Sequence, residues 1–146
     1  MPAVRRTRAM EMVWRLHRWL YRASGGRIGG RMMGMPVLLL TTTGRRSGGA
    51  RTSPLMYFPE SDACVVIASN AGEPRHPAWW LNLRENPRAT VQCGAEIIPV
   101  VAREAQDDER ARLWAKLIAM EPNYETYRQR TTRQIPVVVL EPITRP

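Results

Sequence analysis

The apolar positions between residues 8 and 23 (RAMEMVWRLHRWLYRA) keep a helical rhythm. At about 100° per residue, Glu11, Arg15, Arg18 and Arg22 fall in one wedge of about 60°, and apolar side chains cover most of the remaining circumference. The pattern predicts a helix that either docks on the rest of the chain or lies in a membrane interface, its arginines reaching phosphates. Glycines break every period from Ser24 to Pro36 (SGGRIGGRMMGMP), which predicts an irregular connection. Beyond it, Val37–Thr43, Arg51–Phe58 and Cys64–Ser69 read as strands, separated by the turns GRRSGG and PESDA. AWWLNLREN reads as a helix, opened by Pro77 and stopped near Asn86 and Pro87. Arg88–Cys93 and Glu96–Arg103 read as a hairpin. Asp107, Asp108 and Glu109 place negative charge on the first turn of a helix reaching about Met120. A short helix over Pro122–Arg130 and a buried strand over Ile135–Glu141 complete the order α-βββ-α-ββ-αα-β. Strands joined by short turns predict an α+β chain, mainly β in its core, with an antiparallel sheet or small barrel and helices packed outside. The glycine break predicts two parts: a helix and linker over 1–35, and a barrel domain over 36–146.

Composition narrows the function. The 146 residues are 44% hydrophobic, enough for one packed domain. Of 22 basic residues 21 are arginine, with Lys116 the single lysine, against 13 acidic ones, for a net charge of +9. Such a field favours an anionic partner: nucleic acid, a phosphorylated cofactor or an anionic membrane. No apolar run approaches the ~20 residues of a membrane span, and no signal-peptide core follows the N-terminus, so a cytoplasmic protein is expected. Cys64 and Cys93 read as buried free thiols. His17 and His76 stand without ligand-like neighbours, so no metal site is expected.

Three stretches carry chemistry. Leu38 to Phe58 (LLLTTTGRRSGGARTSPLMYF) delivers a strand into a glycine turn bearing Arg45 and Arg46, with Arg51 just beyond. Glycines let backbone N–H groups approach an anion, and adjacent guanidiniums grip phosphate or carboxylate; a solvated hairpin turn is the plain alternative. Val65 to Leu83 runs from a strand into Ser69-Asn70-Ala71-Gly72 and then two tryptophans, a setting for a ring with polar edges or simply core. Tyr124 and Tyr127 share a helix face and either line a pocket or pack over the barrel.

Together, LLLTTTGRRSGGAR, PLMYF, VVIASNAGEPRHPAWWLNLRENPRATVQ and PNYETYRQRTTRQIPVVVLEP resemble the deazaflavin (coenzyme F420)-dependent nitroreductase and quinone reductase family, over about Pro36 to Pro142. The resemblance implies a split β-barrel of the flavin-binding type and hydride transfer from reduced F420 to a quinone, nitro or other conjugated acceptor. It places Arg45, Arg46, Ser47 and Arg51 on the phosphate and glutamate tail, with Ser53, Pro54 and Met56 bordering tail and ring. Ile67, Ala68, Ser69 and Asn70 would flank the ring, and Trp79, Trp80, Asn82 and Leu83 would close its other side. Tyr124, Tyr127 and Ser69 are the implied catalytic hydrogen-bond donors. The alternatives are a flavin mononucleotide (FMN) oxidoreductase on the same barrel, a non-catalytic F420 carrier, or a protein that binds anionic surfaces. A membrane quinone and peripheral lipid contact through the N-terminal helix fit the first reading. Nucleic acid does not, because no aromatic residues interleave with the basic turn.

Overall fold

A computed structural model of the chain describes residues 8–24, 31–32 and 34–143. Helix α1 (Arg8–Ser24) is followed by β1 (Arg31–Met32), β2 (Met35–Thr43), β3 (Ala50–Met56), β4 (Phe58–Glu60) and β5 (Ala63–Ile67). Helix α2 (Ala78–Glu85), the hairpin β6 (Arg88–Cys93) and β7 (Glu96–Glu104), α3 (Asp107–Met120), α4 (Asn123–Arg130) and β8 (Val137–Pro142) complete it. The strands form one antiparallel sheet in the order β1-β2-β6-β7-β8-β5-β4, with β3 on the other side of β2. It is an α+β fold of the split-barrel type.

The central strands read as unbroken apolar runs because both of their faces are covered. Leu38 and Leu40 of β2 and Val138 and Leu140 of β8 point into the barrel, where they meet Val66, Val91, Val100, Trp80 and Leu83. Their neighbours Val137 and Val139 point outward into a second cluster, with Leu113 and Leu117 of α3 and Tyr124 of α4. Val37 and Leu39 pack outward under Tyr21 of α1. Alternation of side chains along each strand therefore serves two cores.

Three sequence expectations change. The strand expected over Arg51–Phe58 is two strands. β3 pairs with β2, whereas β4 pairs with β5. The chain changes partners at Tyr57, whose N–H donates to the carbonyl of Pro36 at 3.0 Å. The segment expected to be irregular contains a short pairing, Arg31 with Pro36 and Met32 with Met35; residues 25–30 and 33 lie outside the described ones. The cysteines are half-buried rather than buried, free, and face each other with sulfurs 3.9 Å apart.

Helix α1 is bolted down near its C-terminus. Tyr21 is 1% exposed, its hydroxyl donates to the carbonyl of Gln92 at 3.0 Å and accepts from the N–H of Gly94 at 2.9 Å. Arg22 donates to Thr52 Oγ1 at 2.9 Å. No helix among the described residues is long and apolar enough to cross a membrane.

Candidate active site

Among the described residues β3 pairs only with β2, which leaves its other edge open, and Pro54 sits there at no cost to the sheet. A cleft of about 910 Å³ runs along this edge. One wall is basic: Arg45, Arg46, Ser47 and Arg51 from the glycine turn, together with Arg15, Arg18 and Arg22 from α1. The other is mostly buried: Ile67 and Ser69 at the end of β5, Trp79 and Asn82 of α2, and Tyr124 of α4, with Asn70 and Ala71 beside them.

The basic turn is shaped by its own backbone. Gly44 N–H donates to Gly49 O at 2.7 Å and Gly48 N–H to Gly44 O at 2.8 Å, with Gly48 at φ +74°. Ser47 Oγ accepts from Gly49 N–H at 3.2 Å. Asn82 links this turn to α2. Its Oδ1 accepts from both the backbone N–H of Arg45 (3.2 Å) and its guanidinium (3.1 Å), while its Nδ2 donates to Thr42 Oγ1 at 3.1 Å. At 3% exposure Asn82 is one of the few buried polar side chains, and these bonds satisfy it.

The opposite wall is strained. Asn70 and Ala71 both adopt left-handed backbones (φ 46° and 54°), followed by Gly72 at φ 77°. A Cβ on Gly72 would lie 2.8 Å from the carbonyl oxygen of Tyr127 and 2.9 Å from Arg130 Cβ, so only glycine lets α4 sit against the turn. That contact brings Tyr124 to the cleft. Burial, aided by Tyr127 and Glu121, pushes the Tyr124 phenol up to about 12. It therefore remains a protonated donor at neutral pH.

Arg133 holds the strained turn in place, and its role was not foreseen from sequence. Its guanidinium donates to the carbonyls of Ser69 (2.7 Å), Glu73 (3.0 Å) and Ala68 (3.2 Å), and to His76 Nδ1 at 3.2 Å. Burial and the positive charges of Arg133 and Arg84 lower the pKa of His76, consistent with its accepting role. The signal in the sequence was only an arginine between two strand-flanking segments, 64 residues from Ser69. Topology alone connects them.

Among the expected site residues, Arg45, Arg46, Ser47, Arg51, Ser53, Pro54, Met56, Ile67, Ser69, Asn70, Trp79, Asn82 and Tyr124 line the one cleft. Four do not. Ala68, Trp80 and Leu83 pack in the barrel core away from the cleft; Trp79 packs in the same core but, about 100° round α2 from Trp80, also reaches the cleft. Tyr127 stands edge-on to Tyr124, ring centroids 5.6 Å apart, with the Arg130 guanidinium over its ring. It is a support for Tyr124 and not a wall of the cleft.

The donor set suits a cofactor with an anionic tail and a planar ring. Seven of the lining residues that make up the basic wall are arginine or serine, and among the described residues no carboxylate lines the cleft. Ile67, Met56 and Trp79 offer apolar surface beside Ser69 and Tyr124.

Comparison with known proteins gives these features a family. The F420H(2)-dependent quinone reductase family model matches residues 12–142. An F420H(2)-dependent quinone reductase of Mycobacterium tuberculosis is 43% identical over 130 residues, covering 86% of this chain and 87% of that protein. The solved F420-H2 dependent reductase FDR-A superposes with a TM-score of 0.67 at 39% identity, over 73% of this chain and 94% of its own. A solved chain described as a domain-swapped dimer superposes at 0.70 with 33% identity, over 91% of this chain and 99% of its own. FMN, the runner-up cofactor, gains no support from these matches. The chain belongs to the F420H(2)-dependent quinone reductase family.

Proposed function

We propose that the protein carries hydride from reduced F420 to a quinone, with the cofactor's phosphate and carboxylate tail on the basic wall and its ring on the buried one. The observation that carries this reading is a cleft that joins a cluster of arginines, with no carboxylate among the described lining residues, to an apolar slot edged by Ser69 and Tyr124. When bound, reduced deazaflavin supplies two electrons as hydride from a ring carbon, so the protein's work is placement. Arg45, pre-oriented by Asn82, receives a phosphate oxygen, and Arg46 and Arg51 add charge-assisted contacts. Ile67, Met56 and Trp79 exclude water from the ring. Tyr124 Oη donates to the acceptor's carbonyl oxygen as negative charge develops there, with Ser69 as the second donor. A nitro or enone acceptor would meet the same donors.

Met12, Val13, Leu16 and Trp19 of α1 face solvent at 56–70% exposure, in a surface suited to an anionic bilayer that holds a lipophilic quinone. Such a peripheral contact would keep the protein at the cytoplasmic face of a membrane. Deletion of residues 1–24 should then abolish co-sedimentation with anionic liposomes, and unchanged pelleting would exclude the anchor.

The main reading is tested by titrating the purified protein with F420, followed by its fluorescence, with FMN as competitor. Micromolar or tighter binding that FMN does not displace, followed by reduction of a menaquinone analogue, is the expected result. Displacement by FMN, or binding without quinone turnover, would overturn it in favour of the flavin or carrier alternative.

A further inference from the structure

The chain has two cysteines, and the fold brings them together at the end of the barrel away from Ser69. Cys64 is the second residue of β5 and Cys93 the last of β6. Alternation along each strand turns Cys64 to the side of Val66 and Cys93 to the side of Val91, and both pack against the barrel core. In the sheet, β7 and β8 lie between β6 and β5, so the thiols meet across the barrel and not along a ladder. Their sulfurs are 3.9 Å apart, and both residues are half-buried and free.

Their surroundings make the two sulfurs unequal. The Cys64 thiol donates to Cys93 and lowers the Cys93 pKa; burial and Glu96 oppose the shift, and a second hydrogen bond from the Tyr57 hydroxyl adds to it. The same contact, with burial, raises the pKa of Cys64. One sulfur therefore has the thiolate character of an attacking group, and the other remains a thiol within reach of it. Cys93 also sits inside the anchor of α1. Tyr21 Oη donates to the carbonyl of Gln92 and accepts from the N–H of Gly94, the residues on either side of Cys93.

We propose that Cys64 and Cys93 are a reversible redox pair, oxidised by hydrogen peroxide to a disulfide that clamps the α1 anchor to β5. The Cys93 thiolate attacks one peroxide oxygen and the O–O bond breaks. This leaves a sulfenic acid on Cys93, while the other oxygen takes up a proton and departs as water. The Cys64 sulfur then attacks the sulfenic sulfur. The S–S bond forms, the S–O bond breaks, and a second water leaves with the Cys64 proton. Two thiols have lost two electrons and two protons, and the peroxide has gained them. A small dithiol reverses the change by exchange. The assignment is independent of the cofactor and acceptor proposed above.

The disulfide has two consequences. It links residues 29 apart in sequence, which restricts the unfolded chain, so the oxidised protein should melt about 5–10 °C higher than the reduced one. It also ties the Gln92–Gly94 segment to β5, so the local opening that frees Tyr21 becomes rarer.

The test treats the reduced full chain with hydrogen peroxide beside free glutathione at equal thiol concentration. The expected product has lost about 2 Da and both alkylatable thiols within one chain, and dithiothreitol restores them. Its thermal midpoint rises, and exchange of the Gly94 amide slows about 10-fold. Cys64→Ser should stop at a sulfenic acid on Cys93 that dimedone traps, and Cys93→Ser should form none on Cys64. Thiols that survive while glutathione is oxidised would overturn the proposal, as would a disulfide joining two chains. An intrachain disulfide that leaves Gly94 exchange unchanged would overturn the clamp. These wild-type readings decide the matter even if neither variant folds.

Discussion

Ser69, Trp79, Asn82 and Tyr124 on one side of the cleft are each less than 10% exposed and fixed by packing, hydrogen bonds or both, whereas Arg45, Arg46 and Arg51 on the other side are exposed. The buried wall also stores strain, with three successive left-handed residues held by the fork of Arg133. On the function proposed above, the difference follows from what each wall would have to do. Hydride transfer depends steeply on the separation and orientation of two rings, so its wall must be rigid. Attraction of a flexible anionic tail depends on charge, which tolerates movement and falls off gently. Rigidity and charge have been placed on separate elements, and changes to the two walls should separate turnover from affinity.

The largest effect should come from Gly72→Ala. The new Cβ meets the Tyr127 carbonyl oxygen at 2.8 Å in a left-handed backbone, an arrangement that costs about 2–4 kcal/mol. Relief requires α4 to move, taking Tyr124 with it. Thermal unfolding should shift downward, and kcat with a quinone should fall about 100-fold, since misplacement by an ångström is enough. Wild-type turnover in this variant would mean that α4 does not set the geometry of the reaction.

Arg133→Ala comes next. It removes three carbonyl contacts and the bond to His76, and an expected loss of about 2–3 kcal/mol accompanies relaxation of the Ser69–Gly72 turn. The expected signature is a kcat reduced about 10-fold or more with F420 affinity little changed. Arg133→Lys should restore only part of the rate, because one ammonium cannot span carbonyls in a fixed fork. An equal loss of F420 affinity in both variants would place Arg133 in the tail site instead.

The contrast between the walls also explains what could be read from the chain. Nearly all strands and helices were legible because covered strands are apolar throughout, helix α3 opens with Asp107-Asp108-Glu109, and glycines mark the turns. The basic wall was legible too: an arginine turn between strands has a local signature. What escaped notice was non-local. Trp79 and Trp80 both pack into the barrel core, and only the rotation of α2 lets Trp79 also border the cleft. Arg133 joins the site through a contact spanning 64 residues. The inward turn of α1's arginines depends on Tyr21, and no periodicity shows which face of a helix finds a partner.

Arg51→Ala probes the basic wall in isolation. Loss of one charge-assisted contact worth about 1.5 kcal/mol should weaken F420 about 10-fold while leaving kcat at saturation unchanged. Raising the ionic strength should imitate the variant in the wild type and have less effect on the variant itself. A fall in kcat at saturating F420 would show that tail and ring are mechanically coupled, erasing the division between the walls.

The smallest effect is expected from pH, and its smallness is informative. Burial raises the Tyr124 pKa from the ordinary 10 to about 12, so the folded protein holds this proton more tightly than the unfolded chain. The corresponding stability is fully present below pH 10 and is lost as pH rises through 10 toward 12. Over pH 7–9 the phenol stays protonated in both states, and kcat should change by less than about two-fold if Tyr124 is the donor. A decline should begin only on approach to the folded pKa, and Tyr124→Phe should lack it while showing a lower rate at every pH. An alkaline limb centred near 8 or 9 that survives in Tyr124→Phe would assign the donor to another group. It would also mean that the rigidity of the buried wall serves to position the ring more than the proton.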